Sequence, residues 1–277
     1  MAETIDAHHH LWRYTTEEYG WIGPGMEALQ RDFLPADLIH EMAAAGVSGA
    51  VAVQARQSVE ETRWLLECAA CNPAIRGVVG WLPIAEGDIP SQIARLGDSA
   101  KLRGLRHVIQ DEPDDNFILG DAFNRGIASM RATGLVYDIL IHERHLPQAA
   151  VCAAQHPEQV FVLDHLAKPK IALHEMEPWR SNLMALAARP NVYCKLSGLV
   201  TEADWARWTL DDLRPYLDAA VDLFGPERLM AGSDWPVCLL ASGYARWWES
   251  LREWMKGFDR RQQEMMLGET AKRVYKL

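Results

Sequence analysis

The sequence predicts a (β/α)8 barrel that forms one domain over residues 1–277. Eight short apolar segments recur along the chain, amphipathic stretches of helical period separate them, and polar residues stand where each segment ends. A doubly wound sheet is the alternative. It would need a glycine-rich phosphate loop after the first strand, and the sequence has none there.

The eight apolar segments are the predicted strands. Their centres, such as Val-Ala-Val and Val-Phe-Val-Leu, are rich in aliphatic residues, as expected for strands buried on both faces. In chain order the segments are Thr4 to His10, Gly49 to Gln54, Gly77 to Leu82, Gly104 to Ile109, Leu135 to His142, Val160 to His165, Asn191 to Ser197 and Arg228 to Asp234.

A helix is predicted after each strand. Pro35 begins the first helix and Gly46 ends it, and Ser58 with Glu61 forms a capping box for the second. The other helices are expected near 90–99, 120–132, 145–155, 177–188, 211–223, 244–256 and 259–275.

Composition excludes several classes of protein. A net charge of −10 argues against non-specific nucleic-acid binding, and no run of about 18 apolar residues could span a membrane. No secretion leader is visible, so we expect a cytoplasmic protein. Five cysteines, an odd number in a chain of this size, predict reduced thiols. The oligomeric state is left open.

The segment Asp6-Ala-His-His-His10 is the first candidate site. Side chains in a strand alternate between its two faces, so His8 and His10 share one face and His9 takes the other. Asp234 stands at the end of the last predicted strand. Because barrel closure makes the first and last strands neighbours, we expect this carboxylate to meet both histidines around one water molecule or one metal ion.

Other polar residues stand at strand ends, where the active sites of such barrels lie. Arg106 and His107 are adjacent, so only one can face inward. Lys195 would be costly inside a barrel unless it met a carboxylate or an anionic substrate. Two loops, 12–34 and 110–116, are expected over the barrel mouth. The candidate catalytic and substrate-binding residues at these ends are His165, Lys195, Arg106, His107, Gln54, Trp81 and His142.

The set His8, His10, His165 and Asp234 resembles the amidohydrolase superfamily. Four phrases in the same order are similar to its sugar-lactonase branch, which includes L-fuconolactonase and L-rhamnonolactonase. They are Gly104-Leu-Arg-His107, Val162-Leu-Asp-His-Leu-Ala-Lys-Pro169, Cys194-Lys-Leu-Ser-Gly198 and Gly232-Ser-Asp-Trp-Pro236.

The resemblance implies hydrolysis of the cyclic ester of an aldonic acid, a sugar lactone. Superfamily members with two metals carry a bridging lysine at the end of strand four, where this chain has Arg106-His107. A binuclear centre is therefore not expected. His8, His10 and Asp234 would form at most one divalent site, for Zn²⁺ or a similar ion, and the reaction could also be metal-independent.

The expected mechanism is attack by water with Asp234 as general base. His8 and His10 would hold the water, while Lys195, Arg106 and His165 would stabilise the oxyanion. The sugar would lie between the polar Gln54 and the indole rings of Trp12, Trp81 and Trp235.

Three alternatives remain open at this point. A decarboxylase of an unsaturated acid would require a firmly bound zinc with His142 as a ligand. An amide hydrolase would cleave lactams instead of lactones, and a sugar-acid binding protein would have no turnover. The sequence does not identify the preferred lactone.

Overall fold

A single eight-stranded parallel sheet organises the computed structural model, which describes residues 3–277. Neighbouring strands follow the order of the chain, so the sheet curls round in one direction. The strands are β1 (Ile5–His9), β2 (Gly49–Val53), β3 (Ile75–Gly80), β4 (Leu102–Val108), β5 (Val136–Leu140), β6 (Phe161–Leu163), β7 (Val192–Leu196) and β8 (Leu229–Ala231).

Contacts between β1 and the residues after β8 bring the two edges of the sheet together. His9 forms a parallel bridge with Trp235, the Asp234 amide donates to the His8 carbonyl over 2.8 Å, and the His10 amide donates to the Trp235 carbonyl. The result is a nearly closed (β/α)8 barrel, so the predicted fold is confirmed.

Helices cover the outside of the barrel. Most lie where the sequence predicts them, although the helix expected near 90–99 ends at Ala94 and the last one is interrupted by a π-helical segment, Met265–Glu269. They are α1 (Pro35–Ala45), α2 (Val59–Cys71), α3 (Ile89–Ala94), α4 (Asp121–Met130), α5 (Leu146–Gln155), α6 (Trp179–Ala187), α7 (Leu199–Glu202), α8 (Leu210–Phe224), α9 (Tyr244–Met255), α10 (Arg260–Glu264) and α11 (Thr270–Tyr275). Among residues 3–277, no helix combines the length and the apolar character needed to cross a bilayer.

The lower part of the barrel interior is filled by aliphatic side chains. β-branched residues of the central strands, such as Val51, Val79 and Val162, form a cluster that α11 completes through Val274 and Tyr275. The C-terminal helix therefore closes the end of the barrel opposite the mouth.

A bulge in β1 turns His8 inward. Ile5 pairs with Gly49 and Asp6 with Ala50, but His9 pairs with Ala52, so β1 carries one extra residue between Asp6 and His9. Such bulges re-aim side chains and are common beside active sites. Ile5 packs in the lower interior cluster, and strict alternation from it would have pointed His8 away from the centre.

Asp6 ties this bulge to the end of β8 from outside the barrel. Its carboxylate accepts hydrogen bonds from the Ser233 amide at 2.8 Å, the Ser233 hydroxyl at 2.6 Å and the Tyr244 hydroxyl at 3.0 Å. Burial raises the pKa of Asp6 to about 6 although these donors oppose the shift. Asp6 thus holds the segment that carries Asp234 against β1.

Candidate active site

His8, His10 and Asp234 converge at the mouth end of the barrel, as the sequence predicts. The two Nε2 atoms lie 3.3 Å apart, and Asp234 Oδ1 lies 3.3 Å from His10 Nε2 and 3.7 Å from His8 Nε2. Three polar atoms from opposite ends of the chain therefore surround one point.

Hydrogen bonds on the far side of the rings orient both histidines. His10 Nδ1 lies 2.8 Å from the Val53 carbonyl, which only accepts, so Nδ1 carries a proton. His8 Nδ1 lies 3.1 Å from Lys195 Nζ, which only donates, and 3.3 Å from Asp164 Oδ1. The Nε2 atoms of both rings point at the common centre.

The charge states fit a water-activating site. Burial opposes ionisation of Asp234, but His165 and His10 together hold its pKa below the usual value, so it is a carboxylate at neutral pH. Burial, followed by the Lys195 charge, holds the pKa of His8 well below its usual value, and burial lowers that of His165 to about 4. One anion thus faces two neutral imidazoles.

A cavity of about 410 Å³ opens above this cluster, within the size range of small-molecule sites. The expected mouth loops contribute to it through Gly20, Trp21, Gln110 and Asp111. The wall is completed by His10, Glu18, Ala55, Arg56, Gln57, Arg106, Val108, Leu140, His165, Lys168, Asp234 and Val237.

A layer of buried charges lies directly below His8. Asp164 accepts from Arg106 Nη1 at 2.9 Å and pairs with Lys195 Nζ at 2.9 Å. Lys195 also donates to Asp138 at 2.5 Å, and Tyr275 of α11 donates to the same carboxylate at 2.8 Å. We call Asp138, Asp164, Lys195 and Tyr275 the buried charge layer.

Lys195 therefore differs from its expected role. Its side chain is fully buried, does not line the cavity and is held by two carboxylates, so it contacts His8 from below, 3.1 Å from Nδ1, instead of a substrate. Gln54 differs for a similar reason. It is fully buried, and its carbonyl and amide groups are bonded to Arg106.

Three other candidates lie away from the cavity wall. Arg106 faces inward, and His107 consequently points outward, where it bonds Glu112 at 2.6 Å and meets the indole nitrogen of Trp81 at 3.3 Å. The ring of His142 stacks on His145 instead of facing the cavity. These positions differ from the substrate contacts expected of His107, Trp81 and His142.

The expected tryptophan platform is also located differently. Trp12 and Trp235 are almost fully buried and both pack against Phe33. The exposed ring at the cavity is Trp21, which is 39% exposed and contacts Trp12 edge to face. Sequence alone did not distinguish an indole that packs from one that lines a cavity.

His165 is placed by an unusual turn. Residues 165–168 all have φ between 52° and 59°, a left-handed conformation that L-residues avoid. His165 Nδ1 lies 2.9 Å from the Ser197 hydroxyl, and its Nε2 lies 3.9 Å from Asp234 Oδ1. Gly198 leaves room for the ring, because a Cβ there would lie 2.5 Å from His165 Nδ1.

Two residues were missed as site candidates. Asp164 connects His8, Arg106 and Lys195, and Lys168 lines the cavity beside His165. Both stand in the phrase Val162 to Pro169, so the signal was present. Asp164 is a carboxylate at a strand end next to His165, a position from which it could be expected to bond a site residue. The left-handed turn that brings Lys168 inward has no sequence pattern of its own.

The donor set fits a divalent metal. Tetrahedral zinc with bonds of about 2.0–2.2 Å has ligands about 3.3–3.6 Å apart. The edges of 3.3, 3.3 and 3.7 Å between His8, His10 and Asp234 come close to this. Three ligands with an open fourth position are the usual arrangement of a catalytic site.

Fold and site together define a hydrolase-type barrel whose polar cluster lies at the C-terminal ends of its strands. Family comparison agrees, because residues 5–277 match the amidohydrolase family, Amidohydro_2. The chain belongs to this family.

Two relatives are similar over the whole chain, and a third is similar over about half of it. L-fucono-1,5-lactonase of Burkholderia multivorans is 44% identical, and the match covers 100% of this chain and 97% of that protein. The crystal structure of an amidohydrolase from Burkholderia multivorans with bound Zn is 43% identical, covers both chains fully and has a TM-score of 0.95. L-rhamnono-gamma-lactonase of Scheffersomyces stipitis is 25% identical over 51% of this chain and 48% of that protein.

Proposed function

We propose that this protein hydrolyses sugar lactones, opening the ester ring of an aldonic acid lactone such as L-fucono-1,5-lactone. The observation that carries the proposal is the ionised Asp234 carboxylate, 3.3 Å from His10, at the floor of a cavity sized for one sugar. The L-fucono-1,5-lactonase relative at 44% identity indicates the substrate class.

Water attack is the first step. Asp234 takes a proton from a water molecule held between its carboxylate and the Nε2 atoms of His8 and His10, and the water oxygen bonds to the lactone carbonyl carbon. A divalent ion held by His8, His10 and Asp234 would acidify this water, lowering its pKa to about 7.

Ring opening follows from the tetrahedral intermediate. The bond between the former carbonyl carbon and the ring oxygen breaks, and the proton held by Asp234 passes to the leaving alkoxide. The products are a free hydroxyl group and a carboxylic acid, which releases its proton to solvent and becomes a carboxylate; one water molecule is consumed. Arg106, which lines the cavity, and His165, 3.9 Å from Asp234, are placed to orient the substrate.

The position of His142 bears on the decarboxylase alternative. That reaction would need His142 as an additional zinc ligand, but its ring stacks on His145, outside the cavity wall. The geometry therefore favours ester hydrolysis. The five free cysteines support our further proposal that the protein is cytoplasmic.

A lactone panel tests the proposal. L-fucono-1,5-lactone, L-rhamnono-gamma-lactone, matched lactams and unsaturated acids are offered in weak buffer, and proton release is followed against the spontaneous rate. We expect turnover of at least one sugar lactone and none of the lactams. Exclusive cleavage of lactams, or carbon dioxide release from the acids, would replace the proposal.

The same assay decides the metal requirement. Enzyme treated exhaustively with a chelator is compared with enzyme to which zinc is returned, and bound metal is quantified. Loss and recovery of turnover would assign His8, His10 and Asp234 as ligands. Full turnover of the metal-free enzyme would leave them the role of holding water.

A further inference from the structure

The turn His165–Lys168 brings a second side chain to the cavity. Its four consecutive left-handed residues are closed by the Lys168 amide, which donates to the His165 carbonyl over 2.8 Å. Strained backbone of this kind persists where surrounding structure enforces it, and it is concentrated at functional sites. Here both ends of the turn, His165 and Lys168, line the cavity with Asp234.

Lys168 differs from the other cations of the site in making no close ion pair among residues 3–277. Arg106 is paired with Asp164 at 2.9 Å, and Arg56 with Glu18 at 2.8 Å. No carboxylate within residues 3–277 lies at ion-pair distance from the Lys168 ammonium, although this side chain is only partly exposed. Its charge reaches the centre, since it adds to the effect of burial in lowering the pKa of His165.

We propose that Lys168 is the catalytic cation of the lactonase reaction, which binds the lactone carbonyl oxygen and then the carboxylate of the product. This inference rests on the proposed function. As the water oxygen bonds to the carbonyl carbon, negative charge develops on the carbonyl oxygen, and a fixed positive donor stabilises it. After the ring bond breaks, the same oxygen belongs to a carboxylate and stays within reach of the same ammonium.

The paired cations are poorer choices for this role. Arg106 and Lys195 would have to release Asp164 to receive the oxyanion, and separating a buried ion pair is costly. Lys168 loses no protein partner on meeting the substrate. In this proposal Lys168 therefore replaces Lys195 and Arg106 as the donor to the oxyanion.

The test replaces the charge and keeps the shape of the side chain. Lys168→Met retains a Cβ and similar length, so the strain of the turn is unchanged. Lys168→Arg restores a charge. The matched control is Lys170→Met, two residues along, because Lys170 is half exposed and paired with Glu143 and Glu175 outside the cavity.

Two readouts separate charge from structure. We expect Lys168→Met to lower kcat by about 100-fold or more, as loss of one oxyanion donor does. Inhibition by the aldonate product should weaken by about tenfold or more, corresponding to at least one lost charge-assisted hydrogen bond. Inhibition of Lys168→Met by the neutral alditol with the same hydroxyl pattern should stay within about twofold of the wild type. Lys168→Arg should recover part of the lost kcat and aldonate inhibition. Lys170→Met should match the wild type in both.

Each other outcome has a distinct meaning. Wild-type kcat and aldonate inhibition in Lys168→Met would overturn the proposal, and so would an equal loss of aldonate and alditol binding, which indicates a collapsed turn. If the wild type opens no lactone, the proposed function fails by itself. Calorimetric titration of wild type and Lys168→Met with the aldonate then still shows whether Lys168 binds a carboxylate.

Discussion

The upper half of the site, around the cavity, and its lower half, the buried charge layer, both contain ionisable side chains but in opposite conditions. At the mouth, Asp234 faces His10 and His165 at 3.3 and 3.9 Å beside an open cavity. Below, Lys195 contacts its two carboxylates at 2.5 and 2.9 Å with no access to solvent. The distances in the upper half leave room for a water or an ion, whereas the lower half is closed by its own partners.

The comparison indicates that the role of an ionisable residue in this barrel depends on how far below the mouth it is buried. A buried charge that meets its counter-charge stabilises only the arrangement it belongs to. A buried charge that is left short of partners can accept a proton or bind a ligand. The following predictions compare the two halves.

Exchanging one acid in each half for its amide should separate the two roles most strongly. Asp234→Asn should lower kcat by about 10²- to 10⁴-fold, because an amide cannot act as a general base, while the unfolding free energy changes little. Asp138→Asn should preserve the kcat of the folded enzyme and lower the unfolding free energy by about 1–3 kcal/mol, because its bonds to Lys195 and Tyr275 weaken.

Steady-state lactone hydrolysis and urea unfolding measure these effects on the same preparations. A stable Asp234→Asn variant with wild-type turnover would remove Asp234 from the mechanism. Loss of turnover in folded Asp138→Asn would show that the buried charge layer takes part in catalysis.

Removing the cation of the lower half should cause the largest loss of stability. Lys195→Met leaves Asp138 and Asp164 buried next to each other without their shared counter-charge, and we expect the unfolding free energy to fall by about 3–5 kcal/mol. Tyr275→Phe removes only a hydroxyl donor and should cost about 1–3 kcal/mol. Equal unfolding midpoints for the two variants would contradict this ranking.

Changing the packing behind His165 tests how accurately the upper half must be placed. A Cβ at Gly198 would lie 2.5 Å from His165 Nδ1, so Gly198→Ala should displace the ring and lower kcat/KM by about 10- to 100-fold. Gly97 is the matched control, because it also has positive φ, +86°, but a Cβ there would touch nothing within 4 Å. If Gly97→Ala reduces activity as much as Gly198→Ala, backbone strain accounts for the loss and ring displacement does not.

Glu61 lies at the rim of the mouth, and its effect on stability depends on pH. It is buried, accepts hydrogen bonds from the Ala55 and Arg56 amides and from Tyr19 of the mouth loop, and burial raises its pKa to about 7. Because this value lies above the ordinary 4.5, the fold favours the protonated acid. Its contribution to stability is complete below pH 4.5 and is lost as the pH rises through about 7.

Glu61→Gln removes this titration while keeping an acceptor for the two amides. The difference in unfolding free energy, variant minus wild type, should therefore be about 1–3 kcal/mol larger at pH 8 than at pH 5. Urea unfolding across that range measures it, and a constant difference would show that Glu61 keeps an ordinary pKa.

The positions of polar residues at the ends of the apolar segments were sufficient to predict the barrel and the convergence of His8, His10 and Asp234. That prediction works because parallel strands deliver their last residues to one edge, a rule that depends on spacing alone. It does not describe the bulge in β1, since the extra residue that turns His8 inward leaves no mark in the sequence. The strand-end rule also does not show how deeply a side chain is buried, and for this reason it predicts Lys195 at the cavity.

Lys168 shows a second limit. A lysine five residues beyond a three-residue strand would ordinarily point away from the barrel, and only the left-handed turn brings it back. Non-glycine residues adopt this conformation too rarely for any pattern to predict four in succession. Such a turn has to be seen in three dimensions.

The bonds from Asp6 to Ser233 connect positions 227 residues apart. Every intermediate in which the first and last strands have not yet met lacks a complete set of groups around the reacting water, and pairing across such a distance is slow. Recovery of lactone turnover during refolding should thus lag behind the return of helical structure and mark the moment when the ring of strands is joined.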